Sequence, residues 1–352
     1  MSATARHTAS EALLALLDTR GRPLRDLRIS VMDRCNFRCT YCMPEGTYGP
    51  DYRFMASEDW LSFDEIERIC RTCTQLGVSK LRLTGGEPLL RPGLPDLVAR
   101  LRAIPGITDL ALTTNGMLLT RQAEDLRKAG LDRITVSLDA LEPALFHQMS
   151  GGRGSVAEVL AGVQAAVHAG FPQGIKINTV VQRGVNESSV PDLVAWSRAT
   201  GVIVRFIEYM DVGNRNQWQR QDIVSSDQLL SKIQERWPVE AVPAHYPGEV
   251  ATRYRFLDGQ GEIGLISSIS KPFCGDCSRA RLSADGTLYT CLFSTQGTDL
   301  RALLRSGLDD QRIEARVHEI WAARSDRYSE LRGRGSSTRS SGRKIEMHYI
   351  GG

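Results

Sequence analysis

From residue 26 to residue 210, short β-branched and aliphatic runs alternate with longer amphipathic stretches, and no other feature limits the possible folds so tightly. Residues 27–32, 80–84, 109–114, 133–138, 175–181 and 202–209 read as strands. Residues 63–76, 94–103, 121–129, 156–169 and 190–199 read as helices, and Gly77, Gly130, Gly170 and Gly201 stand just past four of them as stops. This order builds parallel βαβ units with right-handed crossovers, in an open doubly wound sheet or a partly closed barrel. Either architecture gathers chemistry at the carboxyl ends of its strands. The unusual residues fall there: Thr84-Gly85-Gly86-Glu87-Pro88, Thr113-Thr114-Asn115-Gly116, Ser137-Leu138-Asp139 and Glu208-Tyr209-Met210.

After residue 237 the alternation stops, and Pro238, Pro243 and Pro247 mark a linker. Strand-like runs follow at 251–256, 261–267 and 288–292, then two helical stretches up to residue 323. Residues 333–342, rich in Gly, Ser and Arg, read as flexible. The expected division is an arm of residues 1–25 with a helical stretch at 11–18, a main unit at 26–237, a smaller α+β unit at 238–324 and a basic tail at 325–352. The net charge of +3 is too small to argue for nucleic acid. Seven basic residues against Asp326 and Glu330 put a local +5 into residues 324–344, so the remainder is slightly acidic. No run reaches the roughly 18 apolar residues of a membrane span, and the first 18 residues lack the pattern of a secretory leader. A cytoplasmic chain without membrane or nucleic-acid partners is expected.

The eight cysteines are clustered. Cys35, Cys39 and Cys42 form a C-x3-C-x2-C run directly after the first strand. Soft thiolates suit iron–sulfur clusters, and three of them hold three corners of a cubane and leave one iron open. A structural zinc site wants a fourth ligand nearby, and this loop offers none. Tyr41 stands immediately before the last cysteine. With a strand before it, a βα series after it and the Gly85-Gly86-Glu87-Pro88 turn next, the segment resembles the radical S-adenosylmethionine (SAM) superfamily. That resemblance implies SAM bound to the open iron through its amino and carboxylate groups, then cleaved reductively to methionine and a 5′-deoxyadenosyl radical. The glycines of the turn would let backbone approach a ligand that a side chain would block.

Cys274, Cys277 and Cys291 have C-x2-C-x13-C spacing, which by itself favours a zinc knuckle over a second iron–sulfur cluster. Cys70 and Cys73 share helical spacing with Ile66 and Ile69 and read as a core stripe, not a redox pair.

Residues 27–42, 81–88, 113–116, 178–186, 205–210 and 271–282 and the terminal Gly351-Gly352 together resemble the GTP 3′,8-cyclase family of molybdenum cofactor biosynthesis over nearly the whole chain. The resemblance implies an incomplete TIM-like (β/α)6 barrel joined to a smaller C-terminal α+β cluster-binding unit. It also implies a 4Fe–4S cluster on Cys35, Cys39 and Cys42, and a second on Cys274, Cys277 and Cys291 whose open iron faces guanine. By the same resemblance Tyr41, Gly86, Ser137 and Met210 line the SAM site, and Arg28, Arg82, Thr113, Lys176, Arg279 and Arg281 bind GTP. Gly351 and Gly352 then thread into the active-site cavity, where Arg279 and Arg281 also serve the chemistry. The implied reaction abstracts the ribose C3′ hydrogen of GTP and joins C3′ to C8, giving 3′,8-cyclo-7,8-dihydro-GTP. Implied partners are an electron donor such as a flavodoxin or ferredoxin and, as product acceptor, cyclic pyranopterin monophosphate synthase, the enzyme itself being a monomer or homodimer. A radical SAM peptide-modifying maturase and a zinc-stabilised binding module are the rival readings.

Overall fold

The computed structural model describes residues 16–246, 248–332 and 343–351. Six strands follow the expected order: β1 Asp26–Ser30, β2 Lys80–Thr84, β3 Asp109–Thr114, β4 Arg133–Ser137, β5 Ile175–Val181 and β6 Ile203–Glu208. Each pairs in parallel with the next, Arg28 standing beside Arg82 and Thr135 beside Lys176. Six more follow: β7 Val239–Val242, β8 Thr252–Phe256, β9 Glu262–Ile266, β10 Arg279–Leu282, β11 Thr287–Tyr289 and β12 Thr298–Asp299.

The later strands join the same sheet. β9 adds in parallel beside β6 and β10 in parallel beside β1, so eight parallel strands run β10-β1-β2-β3-β4-β5-β6-β9. Antiparallel β8 and β7 flank one side and β11 and β12 the other. The result is a partial, TIM-like barrel that does not close.

The helices are α1 Phe63–Gln75, α2 Leu94–Arg102, α3 Leu119–Lys128, α4 Pro143–Met149, α5 Val156–Ala169, α6 Val190–Thr200, α7 Ser226–Gln234, α8 Leu300–Arg305, α9 Asp310–Ala322, α10 Tyr328–Leu331 and α11 Met347–Ile350. Capping boxes start α1 (Ser62 with Glu65) and α5 (Ser155 with Glu158), and left-handed Gly170 and Gly201 end α5 and α6. Ile66, Ile69, Cys70 and Cys73 are the buried face of α1, which makes both cysteines core residues.

Side-chain parity sets what faces the interior. In β5, Ile175, Ile177, Thr179 and Val181 are buried in the core, whereas Lys176, Asn178 and Val180 alternate with them on the opposite face. Two expectations need correction. Residues 16–18 are not helical: Leu17 bridges Pro23 in a tight turn, while residues 11–15 lie outside the described residues. The stretch after Pro238 is a strand, not only a linker, because β7 hydrogen-bonds along β8; Pro247 is outside the described residues. Residues 333–342 and Gly352 are also outside them. Among the described residues no helix is long and apolar enough to cross a membrane.

Candidate active site

The loop after β1 carries Cys35, Cys39 and Cys42, and backbone bonds stitch it to the end of β2. Val31 N–H donates to Thr84 O (3.0 Å), Gly86 N–H to Met32 O (2.9 Å) and Glu87 N–H to Arg34 O (2.8 Å). A Cβ on Gly86 would overlap the Arg34 carbonyl and sit 2.9 Å from Asp33 O, and Gly85 has φ +145°. The approach of the cysteine loop by itself already requires these glycines. Buried Glu87 extends the stitching: it accepts from Leu89 N–H (3.0 Å), the Thr114 hydroxyl (2.7 Å) and Asn115 N–H (2.7 Å), while burial pushes its carboxyl up to about 7. Asn115 Nδ2 in turn donates to Asn36 Oδ1 (2.7 Å) and lies 3.9 Å from Cys35 Sγ.

Burial raises the pKa of all three thiols, that of Cys35 to about 12. A cationic metal centre removes that penalty by binding the thiolates, so the donor set fits a cluster. Among the described residues no three His, Cys, Asp or Glu side chains are grouped to hold a single metal ion. Beside the loop, Phe37, Cys39, Tyr41, Asn115, Ser137 and Asp139 help to line a small cavity. The Tyr41 hydroxyl donates to Asp139 (2.7 Å), which also accepts from Val180 N–H (2.8 Å) and is pushed up to about 6 by burial. Gly86 and Met210 are outside that lining; the Met210 carbonyl accepts from Asn216 Nδ2 (2.9 Å).

Arg281, Arg28 and Arg82 occupy one register row across β10, β1 and β2. The interior face continues through Thr113 and Thr135 to Lys176 and Arg205. Arg82 donates to the hydroxyls of Thr113 (3.0 Å) and Thr135 (3.2 Å), and Arg205 reaches Thr135 from the other side (3.1 Å). Burial, reinforced by neighbouring cations, lowers Arg28 and Arg82 well below the ordinary guanidinium value, Arg205 and Arg281 to about 10 and Lys176 to about 8. Asp109 is committed to Arg133 at 2.6 Å. Among the described residues none of Arg28, Arg82, Lys176, Arg205, Arg279 and Arg281 forms an ion pair with a carboxylate. Arg205 Nε and Asn178 Oδ1 are buried there without a partner. Arg281 is buried and the other five cations are half-buried; unpaired charge drawn out of water is costly, so this interior suits a polyanion.

Arg205, Thr135 and Asn178 were not singled out above. Their signal was strand parity, since Asn178 shares a face with Lys176 and stands beside Arg205. Sequence reading also missed β10 as a strand, because two arginines in Arg-Ala-Arg-Leu mask its alternation.

Cys274 and Cys277 bound a short turn before β10, and Cys291 follows β11. Arg279 Nη2 lies 3.4 Å from Cys277 Sγ; although burial opposes it, Arg279 and Arg324 pull that thiol down to about 6. Burial pushes Cys291 up to about 12. Three thiols, one already favouring thiolate, with cations on their border are a donor set suited to an anionic cluster. The described end of the tail reaches the same interior: Arg281 donates to the Gly351 carbonyl, and Gly351 packs on Thr84.

Residues 29–197 match the Radical SAM superfamily and residues 202–330 match Molybdenum Cofactor Synthesis C. A GTP 3′,8-cyclase of Xanthomonas axonopodis pv. citri is 57% identical over 335 residues, covering 95% of this chain and 98% of the relative. One from Acidothermus cellulolyticus is 51% identical over 357 residues, with 95% and 98% coverage. The structure of Streptococcus suis SuiB bound to S-adenosylmethionine superposes with a TM-score of 0.60 at 15% identity, over 89% of this chain and 68% of that one, a likeness of fold. With cysteine loop, cationic interior and near-full-length relatives in agreement, the chain belongs to the GTP 3′,8-cyclase family of the radical SAM superfamily.

Proposed function

We infer that the chain converts GTP to (8S)-3′,8-cyclo-7,8-dihydroguanosine 5′-triphosphate, the first step of molybdenum cofactor biosynthesis. The observation that carries this reading is the interior group of six cations, Arg281 buried and the other five half-buried, without carboxylate partners among the described residues. A nucleoside triphosphate supplies the missing negative charge, and paired arginine donors match its oxygens.

Cys35, Cys39 and Cys42 would hold one 4Fe–4S cluster, with SAM against Tyr41, Gly86, Ser137 and Met210, and Cys274, Cys277 and Cys291 would hold a second. Bound there, these groups supply the one-electron chemistry that removes the ribose C3′ hydrogen. The chain's own share is placement. Arg28, Arg82, Lys176, Arg205 and Arg281 grip the triphosphate, Thr113 and Thr135 fix the Arg82 fork, and Arg279 serves both substrate and Cys277. Buried Ile350 and Gly351 cover the interior and keep water from it. An external reductant such as a flavodoxin or ferredoxin, cyclic pyranopterin monophosphate synthase as product acceptor, a cytoplasmic setting and a monomeric or homodimeric state complete the proposal. Anaerobic reconstitution with dithionite, SAM and GTP tests it: the reading expects about eight irons per chain and a cyclised nucleotide isomeric with GTP and separable from it by chromatography, because the hydrogen atom lost from C3′ is replaced by one electron and one proton. SAM cleavage without a GTP-derived product would refute it.

Two further results are expected. Gly351 has φ +74° and an added Cβ would overlap Thr84, so Gly351→Ala should expel the tail end. Cyclisation should fall at least about tenfold while SAM cleavage persists, the difference of more than about 1.4 kcal/mol that a lost positioning contact commonly makes. Lys176, lowered to about 8 chiefly by burial, is charged below that pH and neutral above it. GTP affinity should therefore weaken as pH rises through about 8. Lys176→Arg should move that decline upward, read as KM for GTP against pH.

A further inference from the structure

We propose that Asp18, Arg22 and Arg324 form one positioning clamp for the second cysteine trio, gripping the backbone at Cys274, Cys277 and the approach to Cys291. The inference rests on the reading that this trio holds a cluster.

Asp18 organises the turn that opens the described chain. Its Oδ1 accepts from Arg20 N–H (2.9 Å) and Arg22 N–H (3.0 Å). Its Oδ2 accepts from Arg22 Nε (2.6 Å) and from Arg324 Nη1 (3.1 Å), which comes from just past α9. The three side chains are at most 2% exposed. Joined through Asp18, the two guanidiniums also reach the cysteine segments. Arg22 Nη1 donates to Cys274 O (2.8 Å) and to Asp326 O (2.7 Å). Arg324 Nη1 donates to Cys277 O (2.7 Å), and its Nε to Thr290 O (3.1 Å), one residue before Cys291. The Thr290 hydroxyl donates to Asp326 (2.6 Å), closing the ring.

Each cysteine thus has its own or its neighbour's carbonyl held by a guanidinium. Trp321 keeps the forks in place: its indole N–H donates to Arg22 O (3.0 Å), and Arg324 stacks 4.5 Å from its ring centroid. Arg22 Nη2 is buried with no partner among the described residues. Asp326 also pairs with Arg324 Nε at 3.5 Å, so two carboxylates balance the two guanidiniums and the clamp acts by fixing the backbone of the ligand segments, as outer-shell groups around such clusters do. Segments about 250 residues apart in sequence are tied here, so the N-terminal turn is part of a metal centre's support, as Arg22 and Cys274 are 252 positions apart.

The test is anaerobic reconstitution of the full chain as Arg324→Gln and, more gently, Asp18→Asn, followed by iron analysis, chelator challenge and SAM cleavage. The proposal expects the second cluster to bind about 10- to 100-fold less tightly, with iron falling from about eight towards about four per chain while SAM cleavage is retained. Variants that hold about eight irons with unchanged chelator resistance would overturn it. So would Asp18→Asn losing both clusters together, which would make the network a support of the whole fold. Wild-type chain holding only about four irons would instead refute the assignment of the trio itself.

Discussion

Arg82→Met is expected to disable GTP turnover while making the ligand-free chain harder to unfold. Arg82 lies in the middle of the cationic row, with Arg28 beside it and Arg205 across Thr135. Burial and the neighbouring Arg133, Arg28 and Arg205 all lower its pKa, so in the empty protein its charge is a burden. Methionine keeps the aliphatic stem and removes that burden; Thr135 retains its bond from Arg205. With substrate bound the sign reverses, because a charge-assisted fork to phosphate is lost. Truncating one partner of a buried charge pair costs roughly 2–5 kcal/mol, or about one and a half to three and a half decades in kcat/KM. SAM cleavage in the absence of GTP should be little changed, since Arg82 does not touch the cysteine loop. Urea midpoints and GTP kinetics on the same preparation check both halves. A lower midpoint together with intact GTP kinetics would show that Arg82 is a structural residue.

Gly86→Ala should remove the first cluster. The added methyl would fall on the Arg34 carbonyl, backbone immediately preceding Cys35, and two bonds hold that backbone in place: Gly86 N–H to Met32 O (2.9 Å) and Glu87 N–H to Arg34 O (2.8 Å). No rotamer change relieves a clash with backbone, so the loop must shift and carry Cys35 with it. A shift of about 1 Å at a reacting centre already costs about a hundredfold, and loss of a cluster ligand should abolish SAM cleavage outright. Iron should fall towards about four per chain, with the second trio still loaded. Gly46→Ala, whose Cβ would meet nothing within 4 Å, is the control for the substitution itself.

The parallel core was legible because its strands are apolar on the helix face and its helices carry caps and stops. Strand bounds at 80–84, 109–114 and 175–181 coincide with β2, β3 and β5. The C-terminal strands were harder. β7, β10 and β12 are two to four residues long, and β10 owes its existence to β1 near the other end of the chain. Tertiary pairing of that kind leaves little local signal.

The site divides in the same way. Both cysteine trios and most of the cations were visible as motifs or by resemblance. The reason for Gly85-Gly86 was not, because it lies in the approach of residues 32–34. Nor was Arg205, whose place in the cationic row depends on which face of β6 it occupies. The clamp of Asp18 with Arg324 was invisible, since a carboxylate and a guanidinium 306 residues apart leave no pattern.

The most direct test of a triphosphate held on the cationic row with its ribose presented to SAM is isotopic. Reconstituted enzyme is given SAM, reductant and GTP carrying deuterium at C3′, and the 5′-deoxyadenosine formed is weighed by mass spectrometry. Deuterium in that nucleoside, together with a cyclised product still bearing all three phosphates, is the predicted result. Unlabelled 5′-deoxyadenosine beside unchanged GTP would contradict it.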